Sequence, residues 1–160
     1  MKKMLAAMAL TLLVACGGGD DEASPGSESD EAQEPTTISF RALDFGFDLE
    51  QDRYPAGPVE LVMKNEGAQA HQAVLYLLND GVDFEEFKSA VMKDQSVAPQ
   101  LAKGQLNGIR QAAGPGEESS ADVFDIEAGT YMFICWLPDQ SLDTEKNHAE
   151  LGMIEGFTIE

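Results

Sequence analysis

Basic residues are scarce in this chain. Its 160 residues hold ten Lys and Arg against 29 Asp and Glu, a formal net charge of −19 at pH 7. A surface so poor in Lys and Arg offers phosphates no counter-charge, which excludes nucleic acid as a partner. Histidine and cysteine are nearly absent as well: His71 and His148, Cys16 and Cys135, with Trp136 the lone tryptophan. No Ser-His-Asp arrangement, phosphate-binding glycine loop or dinucleotide fingerprint can be assembled from what remains. Catalytic zinc is a poor fit too, since it wants an open position and a positioned general base. No catalytic residue is assigned, and the chain is expected not to be an enzyme. Apolar runs are short; the one at the start, ending at Ala15, falls below the length that spans a bilayer.

That opening run follows Lys2 and Lys3, the pattern of a secretory signal. Its end, Leu13-Val14-Ala15-Cys16, resembles the lipobox of bacterial lipoproteins. The resemblance implies cleavage before Cys16 and diacylation of that residue, and two acyl chains anchor stably. Gly17 to Pro35 follows with seven acidic residues, no basic ones and no large apolar side chain. Such a segment cannot bury enough surface to offset its ordering entropy, so a disordered tether is expected. The expected organisation is therefore a lipoprotein signal peptide over 1–15, a lipidated Cys16 with an acidic tether over 16–35, and one folded domain over 36–160. The protein would be lipid-anchored to a bacterial membrane, with the domain periplasmic or extracellular. From Thr36 onward 22 acidic residues face eight basic ones. That balance suits a basic redox partner steered by complementary charge, and equally a merely soluble or salt-adapted exterior. With Cys16 acylated, Cys135 has no partner in the chain, and an unpaired thiol in an oxidising compartment is either buried and inert or claimed by a metal.

Within the domain the pattern is mostly β. Thr36 to Leu49 alternates in part and is rich in Phe, a strand or two with a kink at Gly46. Pro55 to Pro58 reads as a turn. Val59, Leu61 and Met63 alternate with Glu60, Val62 and Lys64 along a half-buried strand that ends at Asn65-Glu66-Gly67. His71 to Leu78 begins the next strand. Asp83 to Met92 breaks the period: Phe84, Phe87 and Val91 share one helical face behind acids at the start, so a short amphipathic helix is expected. After a break, Ser96 to Lys103 reads as its continuation. Leu106 to Ala112 and Ser119 to Ile126 read as further strands, the latter turning through Glu127 to Gly129 into Tyr131 to Trp136. There Tyr131, Phe133 and Cys135 share one face and Met132, Ile134 and Trp136 the other.

The last stretch carries the chemistry. Cys135 ends an apolar strand introduced by Gly129-Thr130-Tyr131, and His148-Ala-Glu-Leu-Gly-Met153 leads into the final strand. Thiolate, imidazole and thioether are the soft donors that copper selects, and His71 supplies a second imidazole from an earlier strand. His71, Cys135, His148 and Met153 resemble the ligand set of the cupredoxin family of blue copper proteins. There the first His comes from an early strand, and Cys, His and Met come from the loop joining the last two. The overall layout of Thr36 to Glu160 fits, while Trp136 to Asn147 makes a longer Cys-to-His spacing than the simplest members have. The resemblance implies an all-β, cupredoxin-like Greek-key β-sandwich with a short helical insertion. It implies one type 1 copper ion held by His71, Cys135, His148 and an axial Met153. It also implies one-electron transfer with a cytochrome or membrane oxidoreductase, by a monomer. Two histidines are too few for the second copper centre of oxidases and reductases on this fold, and one free Cys rules out a paired-thiolate binuclear site. A copper-delivery lipoprotein and a metal-free interaction module on the same fold stay open as alternatives. In either copper reading, His71 Nδ1, Cys135 Sγ and His148 Nδ1 must converge on one point.

Overall fold

Alternation along the first strand sets the architecture. In Thr36–Leu43 (β1) the side chains of Ile38, Phe40 and Ala42 are buried while Thr37, Ser39 and Arg41 face water. The computed structural model describes residues 33–141 and 145–160. The signal peptide, Cys16 and nearly all of the expected tether lie outside the described residues. Antiparallel to β1 runs Gly46–Leu49 (β2). On its other side Gly57–Asn65 (β4) runs parallel, burying Val59, Leu61 and Met63 in the same layer as Ile38 and Phe40. Asp122–Ile126 (β7) closes this sheet against β4, in the order β2-β1-β4-β7.

The second sheet is built from Arg53–Tyr54 (β3), His71–Leu78 (β5), Ala102–Ala113 (β6), Gly129–Ile134 (β8) and Ile154–Ile159 (β9), in the order β3-β9-β8-β5-β6. Hairpins β1–β2, β5–β6 and β8–β9 stay within one sheet while the other connections cross between sheets, which gives the Greek-key β-sandwich that the cupredoxin resemblance implies. Between the sheets, Phe40 stacks on Phe133 at a centroid distance of 4.3 Å, and Phe157 lies 5.0 Å from Phe133 and 5.7 Å from Tyr131. These rings form the floor beneath Cys135, which belongs to the same buried cluster.

A second core sits on the outer face of the second sheet. Phe84–Lys93 (α1) is capped by Asp83, whose carboxylate accepts the backbone N–H groups of Glu85 and Glu86. Its buried Phe87 and Val91 pack with Leu78, Met132, Ile134, Ile154 and Ala149. Gly156 permits this approach, because a Cβ there would stand 2.5 Å from the Phe84 ring. A 3₁₀ turn, Gln95–Val97, and the short helix Ala98–Leu101 (α2) complete the insertion. Strand β8 is thus buried on both faces, which is why Tyr131 to Ile134 is apolar at every position.

Three local expectations shift. The bend expected at Gly46 is made one residue earlier by Phe45, which takes a left-handed φ of 66° so that β2 can turn back on β1. The strand expected from Ser119 begins only at Asp122. Ser119 instead works as a clasp on β4, its Oγ accepting from the Met63 N–H at 2.9 Å and its own N–H donating to the Met63 carbonyl at 2.8 Å. The strand expected from Leu106 begins earlier, at Ala102, straight after α2.

Candidate metal centre

The loop before β5 aims His71. Asn65, fully buried, accepts from the Gly67 N–H through Oδ1 at 2.9 Å. Its Nδ2 donates to the Gln69 and Ala113 carbonyls at 2.7 and 3.0 Å. One side chain thereby folds the Asn65-Glu66-Gly67 turn and ties it to β6, fixing where β5 starts. At Gly67 a Cβ would lie 2.6 Å from His71 Nε2 and 2.6 Å from Asp44 Oδ1, so glycine is what lets the turn pass beside the imidazole.

The long loop between β8 and β9 resolves the spacing that sets this chain apart. Twelve residues lie between Cys135 and His148, and the described ends of that stretch, 136–141 and 145–147, pair with each other. The His148 N–H donates to the Leu137 carbonyl at 2.9 Å, the Asp139 N–H donates to the Lys146 carbonyl at 3.0 Å, and Pro138 bridges Asn147. Gln69 ties this stretch to the His71 loop, its Nε2 donating to Asp139 at 2.9 Å and its Oε1 accepting from the Gln140 N–H at 2.6 Å. At its base Asn147 and Glu150 exchange side-chain-to-backbone bonds of 2.9 and 3.0 Å, a capping box over the 3₁₀ turn Ala149–Leu151. The Met153 N–H reaches the His148 carbonyl at 2.9 Å, and the Cys135 N–H reaches the Met153 carbonyl at 3.2 Å. The backbones of three of the predicted ligands are thus laced together where the loop begins and ends.

The side chains converge accordingly. His71 Nδ1 lies 3.1 Å from His148 Nδ1, and Cys135 Sγ lies 3.3 Å from His148 Nδ1. All three residues are buried, and their donor atoms fall within 4.8 Å of one another. Metals of this class hold imidazole nitrogen at about 2.0 Å and thiolate sulfur at about 2.3 Å. Both separations are shorter than the corresponding sums, so one ion can sit between His148 and each of the other two donors. Met153 is wholly buried in the same core cluster as Cys135. The donor set is soft, dry and closed, and it fits a single type 1 copper ion.

Electrostatics point the same way. Burial pushes the His71 imidazole below its ordinary proton affinity, with the Asp44 carboxylate pulling partly back. Burial lowers His148 as well, and neighbouring His71 lowers it further. Burial also raises the Cys135 thiol, against the opposing N–H groups of Gln72 and Leu137. Two neutral imidazoles and a thiol are packed together with little hydrogen-bond compensation, and His148 Nε2 is buried with no partner among the described residues. A bound cation reverses this logic, since it rewards lone pairs and thiolate that the metal-free site disfavours.

Two contacts were not visible in the sequence. Asp44 Oδ1 lies 3.3 Å from His71 Nε2, and the ring of Phe45 meets His148 edge-on at 5.7 Å. Both come from the tip of the β1–β2 hairpin, far from either histidine in the chain. An acidic residue beside a Phe-rich strand carries no signal for this.

No family model and no curated protein matches the chain. Several solved structures resemble its fold. A sodium-dithionite-reduced auracyanin from Roseiflexus castenholzii is 19% identical, covering 80% of this chain and 99% of its own, with a TM-score of 0.48. Auracyanin A from Chloroflexus aurantiacus, described as a "blue" copper protein, is 22% identical over 79% of this chain and all of its own, with a TM-score of 0.48. Reduced rusticyanin is 13% identical, covering 80% of this chain and 82% of its own, with a TM-score of 0.44.

Proposed function

We propose that this chain is a type 1 copper protein that carries one electron at a time while anchored to a bacterial membrane through Cys16. The observation that carries the reading is the convergence of two imidazole Nδ1 atoms and one thiol, all buried, on a point that one ion can occupy. Copper, when bound, supplies a one-electron couple. His71, Cys135, His148 and Met153 would hold it through two imidazoles, a thiolate and a thioether. With these residues holding the ion, the domain would act as a carrier rather than an enzyme. The aromatic floor of Phe40, Phe133 and Phe157 keeps water away and resists rearrangement between oxidation states.

Burial weighs against copper delivery, because releasing the ion from donors with almost no exposure requires opening the laced loop. The acidic surface supports a basic redox partner, such as a cytochrome or a membrane oxidoreductase, met by a monomer.

Titrating the purified protein with Cu(II) tests this reading. One equivalent should raise an intense visible thiolate-to-copper band that Cys135→Ser abolishes and His148→Ala weakens or shifts. A protein with no such band, its thiol still freely titratable, would overturn it. Cys16→Ser should separately release the protein from membranes.

A further inference from the structure

The two histidines of the site are not equivalent, and the difference lies in Asp44. A neutral imidazole carries one proton, on one nitrogen or the other. His71 Nε2 faces the Asp44 carboxylate, which can only accept, so the His71 proton sits on Nε2 and its Nδ1 lone pair points into the site. His148 Nδ1 faces both that lone pair at 3.1 Å and the Cys135 thiol at 3.3 Å, so no single neighbour fixes its proton. His71 is therefore already in the form a metal needs.

Asp44 is itself held. Its Oδ1 accepts the Ala68 N–H at 2.9 Å, in the same loop that delivers His71, and a Cβ on Gly67 would intrude at 2.6 Å on both partners. The turn it occupies is pinned by the left-handed Phe45, whose ring covers His148. Although the Asp44 side chain is 41% exposed, these bonds tie it to the loop that delivers His71.

We propose that Asp44 is a positioning residue for the metal site: it fixes the His71 tautomer and ring plane, and its negative charge favours the higher oxidation state of the bound ion. This deepens the copper reading and rests on it for the metal-dependent part. Ligating imidazoles backed by a carboxylate are more basic and better oriented, and losing such a partner costs on the order of 10- to 100-fold in metal affinity.

The test compares the wild type with Asp44→Asn and Asp44→Ala. Asn keeps an oxygen for Ala68 and His71 but removes the charge; Ala removes both. In the metal-free protein, nitrogen-15 shifts of His71 should report an Nε2–H imidazole in the wild type and a mixture of tautomers in Asp44→Ala. Co(II) affinity, followed through the thiolate-to-cobalt band, should fall on the order of tenfold or more in Asp44→Ala. The copper midpoint potential should rise in Asp44→Asn while its thermal midpoint stays near wild type. Unchanged tautomer, affinity and potential in both variants would overturn the proposal. A wild type that binds neither Co(II) nor Cu(II) would sink the copper reading instead, and the nitrogen-15 measurement would still decide whether Asp44 sets the His71 tautomer.

Discussion

At the scale of single residues, the site is held together by groups that dislike their surroundings until a cation arrives. Both imidazoles are kept neutral chiefly by burial. In the unfolded chain a histidine titrates near about 6.5. As the pH falls through that value, the unfolded state takes up protons that the native, metal-free protein refuses. Stability of the metal-free protein is therefore highest above about pH 7 and falls as the pH drops below about 6.5, levelling off only where the native imidazoles themselves protonate. Urea midpoints measured at about pH 7.5 and about pH 5.5 check this, and His148→Ala should flatten the difference. An equal midpoint at both values would mean that the imidazoles are charged within the fold. Gly67→Ala is the complementary steric test. Its Cβ would meet Asp44 Oδ1 and His71 Nε2 at 2.6 Å, so one must move, at about 1–3 kcal/mol for an overpacked position. Denaturant unfolding reads the loss, and weaker Co(II) binding shows that it was the imidazole that gave way.

At the scale of elements, the two cores share β8. The inter-sheet core supports Cys135 from below, while α1 packs on the opposite face and touches Ala149 beside His148. Phe87→Ala should cost about 3–5 kcal/mol in chemical denaturation, since a wholly buried ring is lost. Asp83→Ala should cost about 1 kcal/mol, the usual worth of an N-cap, and leave the visible band in place. If Phe87→Ala unfolds at the wild-type midpoint, α1 is not part of the cooperative unit. Most of these elements were legible beforehand. Apolar alternation marked β1 and β4, and the spacing of Phe84, Phe87 and Val91 marked α1. Boundaries shifted where a long-range bond overrode local pattern, as at Ser119, whose partners lie on β4.

At the scale of the whole molecule, charge dominates. A net −19 over 160 residues produces a field that would steer a basic partner from a distance, screened within a Debye length of about 8 Å at physiological salt. Electron exchange with a cationic cytochrome should therefore slow steadily with ionic strength in stopped-flow measurements, while the copper band stays unchanged. A rate indifferent to salt would remove the electrostatic partner from the reading.

The sequence by itself determined the donor types, their order along the chain, the two-sheet pattern and the overall charge. Those follow from residue identity and from periods of two and three to four residues, which need no knowledge of distant contacts. Only the tertiary structure decided that the described ends of the twelve-residue loop pair with each other and return His148 to Cys135. It alone brought Asp44 to His71 and Phe45 to His148. Each of these pairings joins segments that are remote along the chain, and each depends on where the hairpin tip of one sheet meets the loops of the other. Local pattern carries no information about that meeting; packing of the shared core does.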